Sequence, residues 1–174
     1  MTLKDHFILL ARYNGAVNGK MYDILGELSD EKRKKETGAY FRSIHGILNH
    51  LIVSDLTWLR RYHAWHTDSV VLDDERVDHA NLAWGRDMYE QFAELRTGRK
   101  EVDNILSAWI AELPETRYEE ILRYTNTAGE ARQYIVWQTI DHLFNHQTHH
   151  RGQISEILDE MEVEHDYSNI LTIL

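Results

Sequence analysis

Residues 141–153 read DHLFNHQTHHRGQ and carry His142, His146, His149 and His150. Positions four apart on an α-helix lie one above the other on one face, so His142/His146 and His146/His150 each form a stacked pair. The flanking apolar residues keep the same helical spacing, with Val136, Ile140 and Leu143 before the histidines and Ile154, Ile157 and Met161 after them. The stripe that should face a core therefore turns to imidazole midway. An unpaired polar group costs free energy in a core, and neutral imidazole is a good ligand for zinc, nickel, copper or iron. His146 and His150 can both reach one ion from the same helix. A third ligand from another helix completes a facial three-nitrogen set, and His50, bordered by Ile47, Leu51 and Val53, is the candidate. Three protein ligands leave room for water, as in catalytic rather than structural zinc sites. Such an ion lowers the pKa of its water and polarises a substrate oxygen. The pattern is not HExxH, because Gln147 stands where a zincin has its glutamate.

The other histidines have simpler readings. His6, His63, His66, His79 and His165 read as surface residues, His45 as partly exposed, and His142 as a residue of the bundle flank. His149 lies on a different azimuth from His146 and His150. Asp141, Asn145 and Gln153 could hydrogen-bond around the ligands, but each reads more simply as solvated or as a local helix contact. Arg151 reads as an ion pair to a facing helix or as the holder of an anionic group, and Tyr13, Trp58 and Trp137 as core aromatics.

The elements that must position these residues follow from apolar periodicity. A first helix is expected over 3–28, with Asn14 interrupting its apolar face, then a short helix from the Ser29-Asp30 region through Glu36. The second runs from an N-cap at Ser43 to His66 and carries His50. A connection over 67–84 is long for a structureless loop, so a short turn of helix is expected inside it. The third helix is expected from Asp87 to Glu112, ended by Pro114 and weakened by Gly98. Residues 117–134 read as a hairpin or extended arms around Asn126-Thr127-Ala128-Gly129, and the fourth helix as Ala131 to Met161. In the tail, Ile170, Leu171, Ile173 and Leu174 are expected to pack. The fold class is all-α: a four-helix bundle, one domain over 1–174, with a short hairpin or extended segment before the last helix. Bundles of this kind build metal sites from inward side chains on facing helices.

Composition sets limits. The chain has 174 residues, 43% hydrophobic and 28% charged, with one proline and no cysteine. There is thus no disulfide, no thiolate site and no cysteine nucleophile. The formal charge of −10 argues against a nucleic-acid partner, and the basic run Lys32-Arg33-Lys34-Lys35 reads as a solvated face. No stretch approaches the ~18 apolar residues a membrane helix needs. The start lacks the features of a secretory signal, so a cytoplasmic protein is expected.

Ser43-Ile44-His45-Gly46-Ile47-Leu48-Asn49-His50-Leu51, followed by Asp55 and Trp58-Leu59, resembles the second-helix signature of the DinB family of damage-inducible, YfiT-like proteins. HLFNHQTHHRGQ at 142–153 resembles that family's fourth-helix motif. The resemblance covers nearly the whole chain. It implies an up-down-down-up bundle, often dimeric, with zinc or nickel on three histidines, here His50, His146 and His150. Relatives often carry tyrosine before the last ligand, where this chain has His149. Some similar proteins are thiol-dependent transferases or isomerases, and others are regarded as metal-dependent hydrolases. The resemblance thus implies a divalent-metal enzyme acting on a small molecule, with a low-molecular-weight thiol as a candidate co-substrate, in a homodimer. The alternative is a non-catalytic metal-binding stress-response module acting as a dimer.

Overall fold

The computed structural model describes residues 1–38, 40–78, 82, 85 and 87–172. The surface reading of His79 and the packing expected of Ile173 and Leu174 lie outside the described residues.

Helix α1 spans Leu3–Gly26. The Thr2 hydroxyl accepts from the Asp5 amide, and the Asp5 carboxylate accepts from the Thr2 amide, so two otherwise orphaned donors are satisfied. Helix α2, Asp30–Lys34, is capped by Ser29. Its basic run is not wholly a solvated face: Arg33 is buried and donates to the carbonyls of Leu25 and Leu28 at the end of α1. Helix α3, Ile44–Trp65, starts at Ser43, whose hydroxyl accepts from the Gly46 amide. The connection holds the expected turn of helix, α4 at Glu75–Asp78, and buries Leu72 and Val77.

Helix α5, Phe92–Glu112, starts later than Asp87. The backbone before it is already engaged by α3. The Asn49 side-chain oxygen accepts from the amides of Met88 and Tyr89, and the Tyr89 carbonyl is bound by Asn49 and His45. Gly98 has a packing reason, since a Cβ there would overlap the Tyr89 ring and hydroxyl. Strands β1, Ile121–Thr125, and β2, Ala131–Ile135, form an antiparallel hairpin. The Asn126 side chain accepts from the amides of Ala128 and Glu130, and Gly129 takes a φ of 81°. Helix α6 is Val136–Glu160, so the residues from Ala131 to Ile135, expected to begin this helix, belong to the hairpin instead. The tail is anchored by Tyr167, whose hydroxyl reaches Ser155 and the Arg151 carbonyl, while Leu171 is exposed.

The contacts give the directions of the four long helices. Phe7 packs against Phe144 and Asn14 binds Arg151, so α1 and α6 run parallel. Lys4 reaches the Leu113 carbonyl and Asn18 reaches Asp103, so α5 is antiparallel to α1. Arg99 pairs with Asp55, and Trp109 donates to His66, so α5 runs parallel to α3. Tyr62 bonds Thr139 while His50 meets His146, so α3 and α6 are antiparallel. The bundle is therefore up-down-down-up, and α3 and α6 are neighbours although far apart in the chain. Parallel neighbours cannot be joined by a tight turn, which is why a long connection lies between α3 and α5.

One layer of the core is polar. Arg99 donates to Asp55 at 2.7 Å and pairs with Asp103 at 2.9 Å. Asp103 also accepts from the amides of Asn14 and Asn18 at 3.0 Å and 3.1 Å. Arg151 donates to the oxygens of the same two asparagines, and the Gln147 amide donates to Asp55. Each long helix contributes to this layer. Burial pushes the Asp55 carboxyl up to about 6 while Arg99 pulls it down. Burial also opposes the charge on Arg99, but Asp103 and Asp55 together outweigh it. Arg151 thus meets the amide oxygens of Asn14 and Asn18 on α1, where its sequence context allowed an ion pair to a facing helix.

Candidate metal centre

His50 lies in the first half of α3, and His146 and His150 lie one turn apart on α6. The antiparallel packing of the two helices brings them together. The Nε2 atom of His146 lies 3.1 Å from that of His50 and 3.0 Å from that of His150. The ligand atoms of all three fall within 4.8 Å of one another. A zinc–nitrogen bond of about 2.0–2.1 Å places two nitrogens about 2.8–3.0 Å apart at a right angle and about 3.3–3.4 Å apart at the tetrahedral angle. The observed spacings suit one shared ion. The donor chemistry points the same way. A proton between two imidazole nitrogens accounts for one close pair, whereas a cation accounts for the convergence of all three on one point. The group can therefore hold a divalent metal.

The surroundings fix the ligands. The Nδ1 atom of His150 lies 2.7 Å from the Gln153 side-chain oxygen, which can only accept, so Nδ1 carries the proton and Nε2 presents its lone pair. The amide of the same Gln153 lies 3.3 Å from Nε2 of His149. Gln153 is thus more than a solvated residue, while Asp141 and Asn145 are exposed. We expect Gln153→Ala to weaken zinc binding about 10–100-fold, the usual cost of losing such a support. Competition against a chromogenic chelator would measure it, and an unchanged affinity would remove Gln153 from the centre.

Burial and the nearby imidazoles keep the three rings neutral. Burial, then His150, pushes His50 down to about 4, and burial with the neighbouring histidines pushes His146 down to about 3. Burial also lowers His150, against the stabilising bond to Gln153. In metal-free protein the unfolded chain takes up protons that the folded chain refuses. Stability from this source is therefore full above about 6.5 and is lost as pH falls toward about 3. Urea denaturation of the metal-free protein across this range should show the decline, and His146→Gln should flatten it. Parallel profiles for the two proteins would contradict the assignment.

The remaining histidines are distributed differently from their sequence reading. His45 is buried, not partly exposed, with Nε2 2.9 Å from the Tyr89 carbonyl. His66 is also buried, not a surface residue, and accepts from the Trp109 indole at 3.2 Å. His142 is exposed on the flank, edge-on to Trp58, and His149 is exposed beside Gln153. His63 sits near Asp73 and Asp78, bonded to the latter at 2.9 Å, in an exposed group.

A cavity of about 870 Å³ opens beside His50, between the loop before α3 and the segment before α5. Its lining includes Tyr40, Phe41, Asn49 and Val53. The Phe41 ring stacks on His50, with centroids 3.9 Å apart and planes 17° apart, and meets His150 edge-on at 5.3 Å. Phe41 was not among the residues singled out from the sequence. It precedes the helix that carries His50, and no periodicity marks a loop aromatic as a neighbour of a helix on the far side.

Three inward histidines on α3 and α6 of an up-down-down-up bundle are the arrangement expected of one family. The family model described as DinB family matches residues 1–168. The chain belongs to the DinB family. A curated relative, "Protein DinB" of Bacillus subtilis (strain 168), is 24% identical over 158 residues, covering 90% of this chain and 86% of that protein. No solved structure matches the chain. Within this DinB-family protein, no described helix is long and apolar enough to cross a membrane.

Proposed function

We propose that this DinB-family protein binds one divalent ion, zinc or nickel, on His50, His146 and His150, and works as a metal-dependent enzyme of the transferase or hydrolase type. The observation that carries this reading is the convergence of three imidazole nitrogens, with His50 among them lining a cavity and no fourth His or carboxylate in the group among the described residues. A site with a vacant position on the ion suits catalysis better than a purely structural role. When bound, the ion supplies Lewis-acid chemistry and lowers the pKa of a water or thiol that reaches it. His50 and His146 orient the ion from two helices, Gln153 sets the tautomer of His150, and Phe41 keeps water from one face of His50.

The substrate in this reading is a small molecule that enters the cavity. The chain has no cysteine, so a thiol nucleophile has to come from a diffusible low-molecular-weight compound. The protein is proposed to act in the cytoplasm as a homodimer. The test is a screen of metal-loaded protein, purified without an affinity tag, against several cellular thiols paired with electrophiles, and against simple esters. Turnover that needs both metal and His146 supports the enzyme. Metal uptake with no turnover on either substrate class favours a metal-binding module, and failure to take up metal removes the centre.

A further inference from the structure

The geometry assigns Phe41 as a positioning and selectivity residue of the three-histidine centre; this rests on the metal reading above. Several features of the chain converge on fixing this one ring. Arg42 adopts a φ of 67°, an unfavourable conformation for a residue with a side chain. That conformation closes a tight turn in which the Ser43 amide donates to the Phe41 carbonyl at 2.8 Å. The turn is held from outside as well. The Arg42 guanidinium makes paired contacts with Glu36, and the Arg42 carbonyl accepts from the amide and hydroxyl of Thr37.

Gly46 supplies the space for this turn. A Cβ at Gly46 would overlap the Phe41 carbonyl oxygen, so only glycine lets that carbonyl sit against the first turn of α3. Strain at Arg42, the ion pair at Glu36 and the glycine at 46 all serve one placement. It is the parallel stack of Phe41 on His50, with its edge contact to His150.

Two consequences follow for a bound ion. The stack restricts rotation of the His50 ring and keeps its Nε2 aimed at the point shared with His146. The phenyl ring also occupies space beside two of the three ligands, so it limits the size of any exogenous ligand that approaches from the cavity. Tyr40, 92% exposed and edge-on to Phe41 at 4.9 Å, extends the same aromatic wall toward solvent. The ligands this wall favours are slender ones, with small groups at the donor atom.

The experiment uses the full chain loaded with Co²⁺, whose visible spectrum reports coordination. Azide serves as a small ligand and 4-phenylimidazole as a bulky one. Phe41→Ala should raise the affinity for 4-phenylimidazole at least about tenfold relative to azide, a steric gain of the usual size for a shaped pocket. Phe41→Leu should fall between the two, and Gly46→Ala should shift the ratio in the same direction as Phe41→Ala. An unchanged ratio in both Phe41 variants, with Co²⁺ bound, overturns the selectivity role. The positioning role has a metal-free readout: stacking on Phe41 should shift the His50 ring protons upfield, and Phe41→Leu should remove the shift. Absence of that shift in the wild type overturns the positioning role. If the wild type takes up no Co²⁺, the metal reading and the selectivity role fall together, and the proton shifts alone decide the stack.

Discussion

His146→Ala is expected to abolish stable metal binding. Its Nε2 is the atom that lies close to both other ligand nitrogens, at 3.1 Å and 3.0 Å, so its loss leaves two imidazoles with no shared neighbour. Removing a supporting residue around a metal typically costs 10–100-fold in affinity, and loss of this ligand should exceed about 100-fold. Elemental analysis should fall from near one ion per chain to near none, and any metal-dependent rate should fall with it. His142→Ala is the control, since His142 lies one turn away on the exposed flank. A His146→Ala protein that retains its ion would refute the three-histidine centre. A His142→Ala protein that loses it would show that His142 belongs to the centre.

Arg99→Met is expected to be the most damaging substitution for stability. It leaves the buried Asp55 and the partly buried Asp103 without their shared cation. Breaking one partner of a buried ion pair costs about 3–5 kcal/mol, and in a chain of this size each kcal/mol moves the melting temperature about 2–4 °C. The loss should therefore be about 6–20 °C. Asp55→Leu in the same chain should restore part of it, because one stranded carboxylate is then gone. Urea denaturation of both variants decides the matter, and a loss below about 1 kcal/mol for Arg99→Met would show that the layer is solvated in practice.

The three-histidine group was legible in the sequence because each histidine interrupts an apolar stripe, which leaves a periodic signal. The polar layer was not. Arg99, Asp103 and Arg151 are charged residues on helices, and charge on a helix ordinarily marks the face in water, so their inward placement had no local signal. Asn14 was visible as a gap in the α1 face, but its partners are 89 and 137 residues away. His45 and His66 were misplaced for a related reason: their partners, the Tyr89 carbonyl and the Trp109 indole, come from distant segments that the fold folds back onto α3. Boundaries failed where side chains from elsewhere captured the backbone. Asn49 holds Met88 and Tyr89 out of α5, and strand pairing holds the stretch from Ala131 to Ile135 out of α6.

His50 and His146 are 96 residues apart in the chain. His146 and His150, by contrast, can meet an ion whenever a single turn of helix forms, even in an otherwise unfolded chain. The third contact exists only after the crossover has closed and α3 has docked on α6. An ion held by all three is thus a reversible crosslink across most of the molecule. A permanent crosslink closing a loop of about 100 residues removes about 4.7 kcal/mol of denatured-chain entropy. The gap between two-point and three-point binding is therefore set by chain topology as much as by coordination chemistry, and ion capture becomes a report that the long loop has closed.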